Sequence, residues 1–385
     1  MLRNQLRIYA VILAAIFCFA CEDTNTSTLR EKHARKSKGD ITIVVAGSWN
    51  TLKFSSDMYD GVKMAVDEIN RENTLNGRKI HLVDKQDSGD VNKARLLAAE
   101  ITDNLDVMAV IGHSFSFVTS EVIDIYSAGG LITITPSVYF PVETSDRNDM
   151  HFSFTPKSKN IVEMFIRYIE KKKYKRLAIV YVNAPSSKHI VNSFYDAIDD
   201  QIKIVDSSTF NIGDTKTFGS IIDKWTHLEF DAIVYVSTSM RYLQILLPKL
   251  KENKVDVPVM VVSQPDMSIL SGINKYLSDK IFFVPCNYDN KTDEFKVFID
   301  KFNNIYNYRP TQSAINGYDA VRIIANACST SGTVEPAKVA REISKLKDYK
   351  GLCGSYSFDD SGVLKTDELH LIKLIDGKIQ QVEGF

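Results

Sequence analysis

Gly112-His113-Ser114-Phe115-Ser116 packs two hydroxyls and an imidazole between an apolar run, Val107 to Ile111, and a helical pattern, Val118, Val122 and Ile125. Two chemistries suit a strand-loop-helix turn of this composition. The first is nucleophilic, a serine on a sharp turn with a histidine at hand, as in the elbow of a hydrolase. That elbow needs a closing glycine so the helix can lie close to the strand, and Ser116 stands there instead. No Asp and His loop can be assigned as partners, and His370 is a single late histidine. The second chemistry is recognition. A loop opening a helix offers unpaired N–H groups, and with the hydroxyls of Ser114 and Ser116 beside them the natural guest is a carboxylate. The loop therefore reads as a binder and not as an enzyme. No phosphate loop, His-Glu-x-x-His or Cys/His zinc spacing occurs, so neither cofactor nor metal is expected. Cys18-x-x-Cys21 has the spacing of a redox or metal pair, but it sits in an apolar leader without a second pair or a histidine cluster.

A binding loop needs a frame, and the periodicity supplies one. Met58, Val62, Ala65, Val66 and Ile69 recur on one helical face, with Ser55, Ser56 and Asp57 ahead of them as capping oxygens. Asn76-Gly77 then gives a residue free to take positive φ, and Ile80 and Leu82 alternate with polar neighbours as in a half-buried strand. Strand-like runs at Ile41 to Ala46, Ile80 to Asp84, Val107 to Gly112 and Leu131 to Thr135 alternate with helical patterns. This predicts an α/β fold with a doubly wound parallel sheet. The pattern restarts after Pro156 with a helix through Ile161, Phe165 and Ile169, then strands at Leu177 to Val182, Ile202 to Val205, Ala232 to Val236 and Val257 to Val262. Phe218, Ile222 and Trp225 share a helical face, which makes Trp225 a core residue. Asp376-Gly377 between two short strand patterns predicts a terminal hairpin. A chain of 385 residues that is 44% hydrophobic has material for two such cores.

The ends add an address. Arg3 and Arg7 precede an apolar run, Ile8 to Ala20, too short to span a bilayer, so residues 1–20 read as a secretory signal. Cys21 follows Cys18-Phe19-Ala20, which resembles the lipobox of bacterial lipoproteins, with Cys18 where that pattern has an aliphatic residue. The resemblance implies lipidation of Cys21 and an exported lipoprotein, periplasmic or at the cell surface, anchored to a bacterial membrane. Residues 22–39 are polar, without apolar periodicity, and hold the basic cluster Arg30, Lys32, Arg35, Lys36 and Lys38. The reading is a solvated tether, 21–39, with attraction to anionic headgroups as the alternative. There are 47 Lys and Arg against 48 Asp and Glu, a balance that argues against nucleic acid as a partner. Of Cys286, Cys328 and Cys353 at most one pair could bridge, and buried reduced thiols are expected.

Several of these stretches together resemble one family. Ala65 to Asp87 (AVDEINRENTLNGRKIHLVDKQD), Val110 to Ser116, Ile134-Thr135-Pro136-Ser137, Gly317-Tyr318-Asp319-Ala320 and Gly351 to Asp359 with Gly362 are similar, in order and spacing, to the leucine/isoleucine/valine-binding and branched-chain amino-acid receptors among the type I periplasmic binding proteins. The resemblance runs from about Asp40 to the C-terminus. It implies two doubly wound parallel-sheet lobes, residues 40–156 with 287–362 and residues 157–286 with 363–385, joined by a three-stranded hinge crossed near Thr155 to Pro156, near Pro285 to Asn287 and around Gly362. It also implies a small, amino-acid-like or carboxylate ligand bound in the interlobe cleft by hinge closure, and an ABC permease/ATPase complex as partner. A ligand-sensing subunit acting on a separate membrane protein is the alternative. Family members with a disulfide in the first lobe carry cysteines where this chain has Asp87 to Asp90 and Phe115, so that bridge is not expected.

Site residues follow by position. Ser116, with Ser114, matches the serine that helps bind the ligand carboxylate, a helix-capping role being compatible. Ser137 lies in the second loop, where Tyr139 replaces a small residue and either walls the pocket, fills it or packs beneath the loop. Trp49, just past a strand end, is the opposing wall. Ser186, followed by Ser187, stands where the receptors carry tyrosine and glycine, and Ser237 and Thr238 replace a glycine and an aromatic residue. Ser263, with Gln264 beside it, falls where an acidic residue meets the ligand's ammonium, and Asp266 is three positions on. A buried ammonium without a carboxylate is costly. The expected guest is therefore a small carboxylate, an aromatic acid or a neutral polar molecule, not a standard zwitterionic amino acid. Tyr288 either contacts ligand or packs the hinge.

Overall fold

A computed structural model of the chain describes residues 25–49, 56–136, 149–211, 213–237, 240–262, 280–284, 292–352, 354–365, 370–375 and 378–384. The first part of the chain runs α1 (Thr26–Lys36), β1 (Ile41–Gly47), α2 (Ser56–Glu72), β2 (Ile80–Gln86), α3 (Val91–Asp103), β3 (Val107–Gly112), α4 (Ser116–Thr119), α5 (Ile123–Ala128), β4 (Ile132–Thr135) and β5 (His151–Ser153). Its five strands form one parallel sheet in the order β2-β1-β3-β4-β5. Both faces are covered, which is why β3 is buried along its whole length. Ala109 and Ile111 pack to one side with Val62 and Val66 of α2, while Val107 and Val110 pack to the other with Ala94, Ala98 and Val122.

The middle of the chain builds α6 (Ser158–Lys172), β6 (Arg176–Val182), α7 (Pro185–Ala197), β7 (Lys203–Phe210), α8 (Thr217–Trp225), β8 (Ala232–Val236), α9 (Leu243–Glu252), β9 (Val259–Val262) and β10 (Lys280–Val284). Then come α10 (Asp293–Tyr306), α11 (Gln312–Ser331), α12 (Pro336–Ser344), the small hairpin β11 (Tyr349–Gly351) and β12 (Gly354–Tyr356), and finally β13 (His370–Ile375) and β14 (Lys378–Gln381). The second sheet has the order β14-β13-β10-β9-β8-β6-β7, parallel except where β13 joins β10 and β14. The β13–β14 register pairs Ile375 with Lys378, the two-residue connection expected at Asp376-Gly377, although those two residues lie outside the described ones. Trp225 is 1% exposed and its Nε1–H donates to Asp206 at 2.7 Å, so it is core with its one polar atom satisfied.

The chain alternates between the two sheets. Phe295, Phe298, Val321, Ile324, Phe358 and Leu364, from far along the sequence, share a core with β1 and β3. Helix α11 lies against α2, and the contact is close because Gly61 faces Ala314: a Cβ on Gly61 would sit 1.9 Å from the Ala314 carbonyl oxygen. Two strands of the crossing run side by side. Ser153 accepts from Leu364 N and donates its own N–H to Gly362 O, both at 2.9 Å, immediately before the chain enters α6 through Thr155 and Pro156.

Helix α1 corrects the expectation of a solvated tether over 21–39. Asn25 caps it through a 3.0 Å bond from Ser27 N, and Arg30 is completely buried. The Arg30 guanidinium donates to the carbonyls of Thr102, Asn104, Val107 and Gly129 at 2.5–2.8 Å. Three of these, Thr102, Asn104 and Gly129, belong to the C-terminal ends of α3 and α5, where carbonyls have no helical partner and carry partial negative charge. The missing apolar stripe misled because a cation, not a hydrophobic face, docks the helix. Burial lowers the Arg30 pKa to about 10, which leaves it charged at neutral pH.

Candidate functional site

Parallel strands bring the C-terminal ends of β1, β3 and β4 to one edge of the first sheet, where loops meet helix N-termini. Gly112 ends β3 at φ +141° because a Cβ there would lie 2.0 Å from Ala46 O. The next side chain, His113, turns inward and is fully buried. Its Nδ1–H donates to Asp87 at 2.6 Å, and its Nε2 lies 2.9 Å from the Tyr126 hydroxyl. Burial and the Asp87 charge raise the Tyr126 pKa, so that hydroxyl keeps its proton. Asp87 also accepts from Gly89 N at 2.6 Å, so this buried chain ties the loop after β2 to the loop after β3.

Ser114 is 4% exposed and its hydroxyl accepts from Ser48 N at 3.0 Å, linking the same loop to the end of β1. The hydrolase arrangement is therefore excluded by geometry: both nitrogens of His113 face Asp87 and Tyr126, away from Ser114. Ser116 opens α4. The cap position falls on Phe115, so Ser116 does not cap the helix. The residue is 7% exposed. Trp49 is half-buried beside Ser114, its Nε1–H donating to Asp84 at 2.6 Å and its ring 5.9 Å from that of Tyr59. At the exit of β4, the Asn316 side-chain amide donates to Pro136 O at 2.7 Å and so fixes the start of the loop toward Ser137.

Across from this edge stands the N-terminus of α7. Pro185 occupies its first turn, and Ala184 caps it without a side-chain hydrogen bond. The hydroxyl oxygens of Ser186 and Ser187 are buried without a partner. One-turn helix α4 of the first lobe lies against α7 of the second. The Ser186 and Ser187 hydroxyls are donors without a partner, and a guest supplying acceptor oxygens at the start of α7 would satisfy them. Ser237 is spoken for, being hydrogen-bonded to Tyr235. Ser137, Tyr139, Thr238, Ser263 and Gln264, with Asp266, Tyr288, Cys21, Cys286 and Cys353, lie outside the described residues. Cys328 is buried and reduced, and burial pushes its thiol up to about 12.

Sequence reasoning missed Asp87 and Asn316 as positioning residues. Asp87 follows a strand end in Gln86-Asp87-Ser88-Gly89-Asp90, and that polar run at the sheet edge was the available signal. Asn316 precedes the Gly317-Tyr318-Asp319 motif, whose own polar groups turn out to be structural: Tyr318 donates to Glu68 at 2.6 Å, and Asp319 accepts from Leu352 N and Tyr356. A separate groove of about 980 Å³ on the first lobe, lined by Glu68, Lys301, Tyr318 and Arg322, holds none of the site residues. Among the described residues no group of His, Cys, Asp and Glu could hold a metal ion, and no helix is long and apolar enough to cross a membrane.

The two parallel sheets and the crossings between them have a counterpart in known proteins: residues 48–377 match the family described as periplasmic binding protein. The chain belongs to the periplasmic binding protein family. This periplasmic binding protein is 26% identical over 330 residues to the leucine-, isoleucine-, valine-, threonine- and alanine-binding protein of Pseudomonas aeruginosa, covering 84% of this chain and 87% of that one. Its fold is similar to an ABC transporter substrate-binding protein from Desulfitobacterium hafniense in complex with Leu, at 27% identity and a TM-score of 0.75, covering 89% of this chain and all of that one. It also overlays the branched-chain amino acid transporter substrate-binding protein LivJ of Streptococcus pneumoniae in complex with isoleucine, at 22% identity and a TM-score of 0.76, covering 89% and 99%. The relatives are solute-binding proteins and not enzymes, and membership of the family makes this an exported protein.

Proposed function

We propose that this periplasmic binding protein is the solute-binding lipoprotein of an ABC importer, anchored through Cys21, which delivers a small carboxylate-bearing ligand to a permease/ATPase complex. The observation that carries this reading is the contact of α4 with α7, with Ser116 opening α4 on one lobe and the buried, unpartnered hydroxyls of Ser186 and Ser187 in the first turn of α7 on the other. Residues 40–156 with 287–362 and 157–286 with 363–385 act as two jaws. A ligand that touches both lobes only when they are closed stabilises the closed state by its differential affinity, and closure presents the loaded form to the permease. The carboxylate lies at the first turn of α4, where Ser116 and the free N–H groups receive it. Ser137, Tyr139, Thr238, Ser263 and Gln264 complete the wall. With serine and glutamine at 263 and 264, the guest is a carboxylate without a free ammonium, an aromatic acid included.

A thermal-shift screen of the protein against organic acids, amino acids, sugars and nucleosides tests this. A ligand at a hundred times its Kd adds about 2.7 kcal/mol of stability, well within reach of the method. Carboxylic acids should raise the midpoint, and Ser116→Ala should shrink the rise. Shifts by sugars or nucleosides alone would remove the carboxylate site. Tight calorimetric binding of leucine, isoleucine or valine would remove the exclusion of amino acids.

A further inference from the structure

Helices α6 and α7 flank β6 in the chain through short connections, so both run against that strand and parallel to one another. They pack side by side on one face of the second sheet, where Ile161, Val162 and Phe165 share a core with Ile190, Val191 and Phe194, the two phenyl rings 6.3 Å apart. Two turns before those rings, the same seam reaches Ser158 on α6 and Ser187 on α7. Both are buried, at 1% and 0% exposed, and neither hydroxyl has a hydrogen-bond partner. The Ser186 hydroxyl, next in the chain, is in the same state. Serine at a helix start ordinarily spends its oxygen on capping. Here the cap positions fall on Lys157 and Ala184, and neither supplies a side-chain bond.

Two helix starts thus lie together with buried donors between them, and neither first turn holds an acidic side chain to meet the positive end of its helix. The Lys157 ammonium is turned to Asp359 at 2.8 Å, so hydroxyls and helix dipoles, not a lysine, make up the recognition. Both helices start at the C-terminal edge of β6, the edge where open parallel sheets hold ligands, and α6 begins just past the crossing at Thr155 and Pro156. We propose that the paired starts of α6 and α7, with Ser158 and Ser187 between them, hold a second acidic group of the guest, so that the solute is a dicarboxylate gripped by one acidic end on each lobe. This rests on the reading of Ser116 as the seat of the first carboxylate. Only the closed state satisfies both ends at once, so the second acid contributes to closure as well as to affinity.

Calorimetry on the protein with succinate, glutarate, adipate and terephthalate, each beside its own monomethyl ester, tests this, because the ester masks one acidic group and keeps the length. At least one diacid should bind about 10- to 100-fold more tightly than its ester, the range of a hydrogen bond to a charged group. The double variant Ser158→Ala, Ser187→Ala should bring that diacid down to the affinity of its ester, while the melting temperature of the ligand-free protein does not fall, because hydroxyls that bond to nothing are all that is lost. Ser116→Ala, by contrast, should weaken diacid and ester alike. Equal binding of diacids and esters by the wild type overturns the second acidic site and leaves the carboxylate site at Ser116 standing. A preference for the diacid that survives the double variant overturns its placement between α6 and α7. Failure of diacids and esters alike to bind removes the carboxylate reading itself, and the second site with it.

Discussion

Ser114 and Ser116 are separated only by Phe115, yet they sit differently. The Ser114 hydroxyl accepts the Ser48 N–H and holds two loops together, whereas Ser116 is the first residue of α4. Ser116→Ala should weaken binding of the proposed carboxylate ligand by about 10- to 100-fold, the range of a hydrogen bond to a charged group, with an unchanged melting temperature. Ser114→Ala should do the converse in part, lowering stability by about 1–3 kcal/mol because the Ser48 N–H is left buried without an acceptor. Calorimetry and thermal denaturation on the same two variants separate the roles. Behind them, His113 is a positioning residue. Removing it in His113→Ala strands Asp87 and the Tyr126 hydroxyl in a fully buried site, and stability measured by urea denaturation should fall by about 3–5 kcal/mol. A loss below about 1 kcal/mol would mean that the Asp87–His113–Tyr126 chain does not brace the loop.

At the scale of elements, α1 is the clearest case of a helix docked through a buried cation, Arg30, with His33–Asp106 and Arg35–Glu335 pairs beside it. Arg30→Ala leaves four carbonyls without their donor and should destabilise the protein by about 3 kcal/mol or more, with amide hydrogen exchange accelerated across residues 26–36. Arg30→Lys should recover little, since an ammonium cannot reach carbonyls on three sides as the planar guanidinium does. Full stability and exchange protection in Arg30→Lys would show that charge alone, not the fork of donors, docks the helix. The same element marks the limit of sequence reading. Helices such as α6 and α8 were legible because Ile161, Phe165 and Ile169, or Phe218, Ile222 and Trp225, repeat on one face and do bury it. Strands β3 and β8 were legible to the residue as uninterrupted apolar runs. Helix α1 was not, because the ends of α3 and α5 that receive Arg30 lie more than seventy residues away in the chain. Strand β5 was not, because three residues, His151-Phe152-Ser153, are too few to show a period. The Ser114–Ser116 loop stood out by composition, whereas its brace at Asp87 and Asn316 depends on contacts between distant segments that no local pattern encodes.

The whole molecule turns on the place where β5 leaves the first sheet. His151 is fully buried there, its Nε2 3.0 Å from Thr135 Oγ1 on β4, one strand residue pair away from the Ser153–Val363 bridge between two crossings. Burial lowers the His151 pKa from 6.5 to about 4, so the folded protein holds the ring neutral while the unfolded chain protonates it at the higher value. The unfolded state therefore binds more protons between these two pKa values, and stability present above about pH 6.5 is lost as pH falls toward 4. The slope approaches about 1.4 kcal/mol per pH unit, for a total of about 3 kcal/mol. Burial also raises the Glu31 and Asp60 carboxyls above their ordinary values, a contribution of the opposite sign because the folded state then binds protons more readily than the unfolded chain. The His151 contribution is consequently read as a difference, by urea denaturation of the wild type and His151→Asn between pH 7 and pH 4.5. The wild type should lose stability on acidification more steeply than the variant, and parallel pH profiles would show that protonation of this ring does not limit the hinge. Because β5 continues directly into the crossing at Thr155 and Pro156, charging His151 should loosen the strand that joins the two lobes, with faster amide exchange at residues 151–153 accompanying the fall in stability.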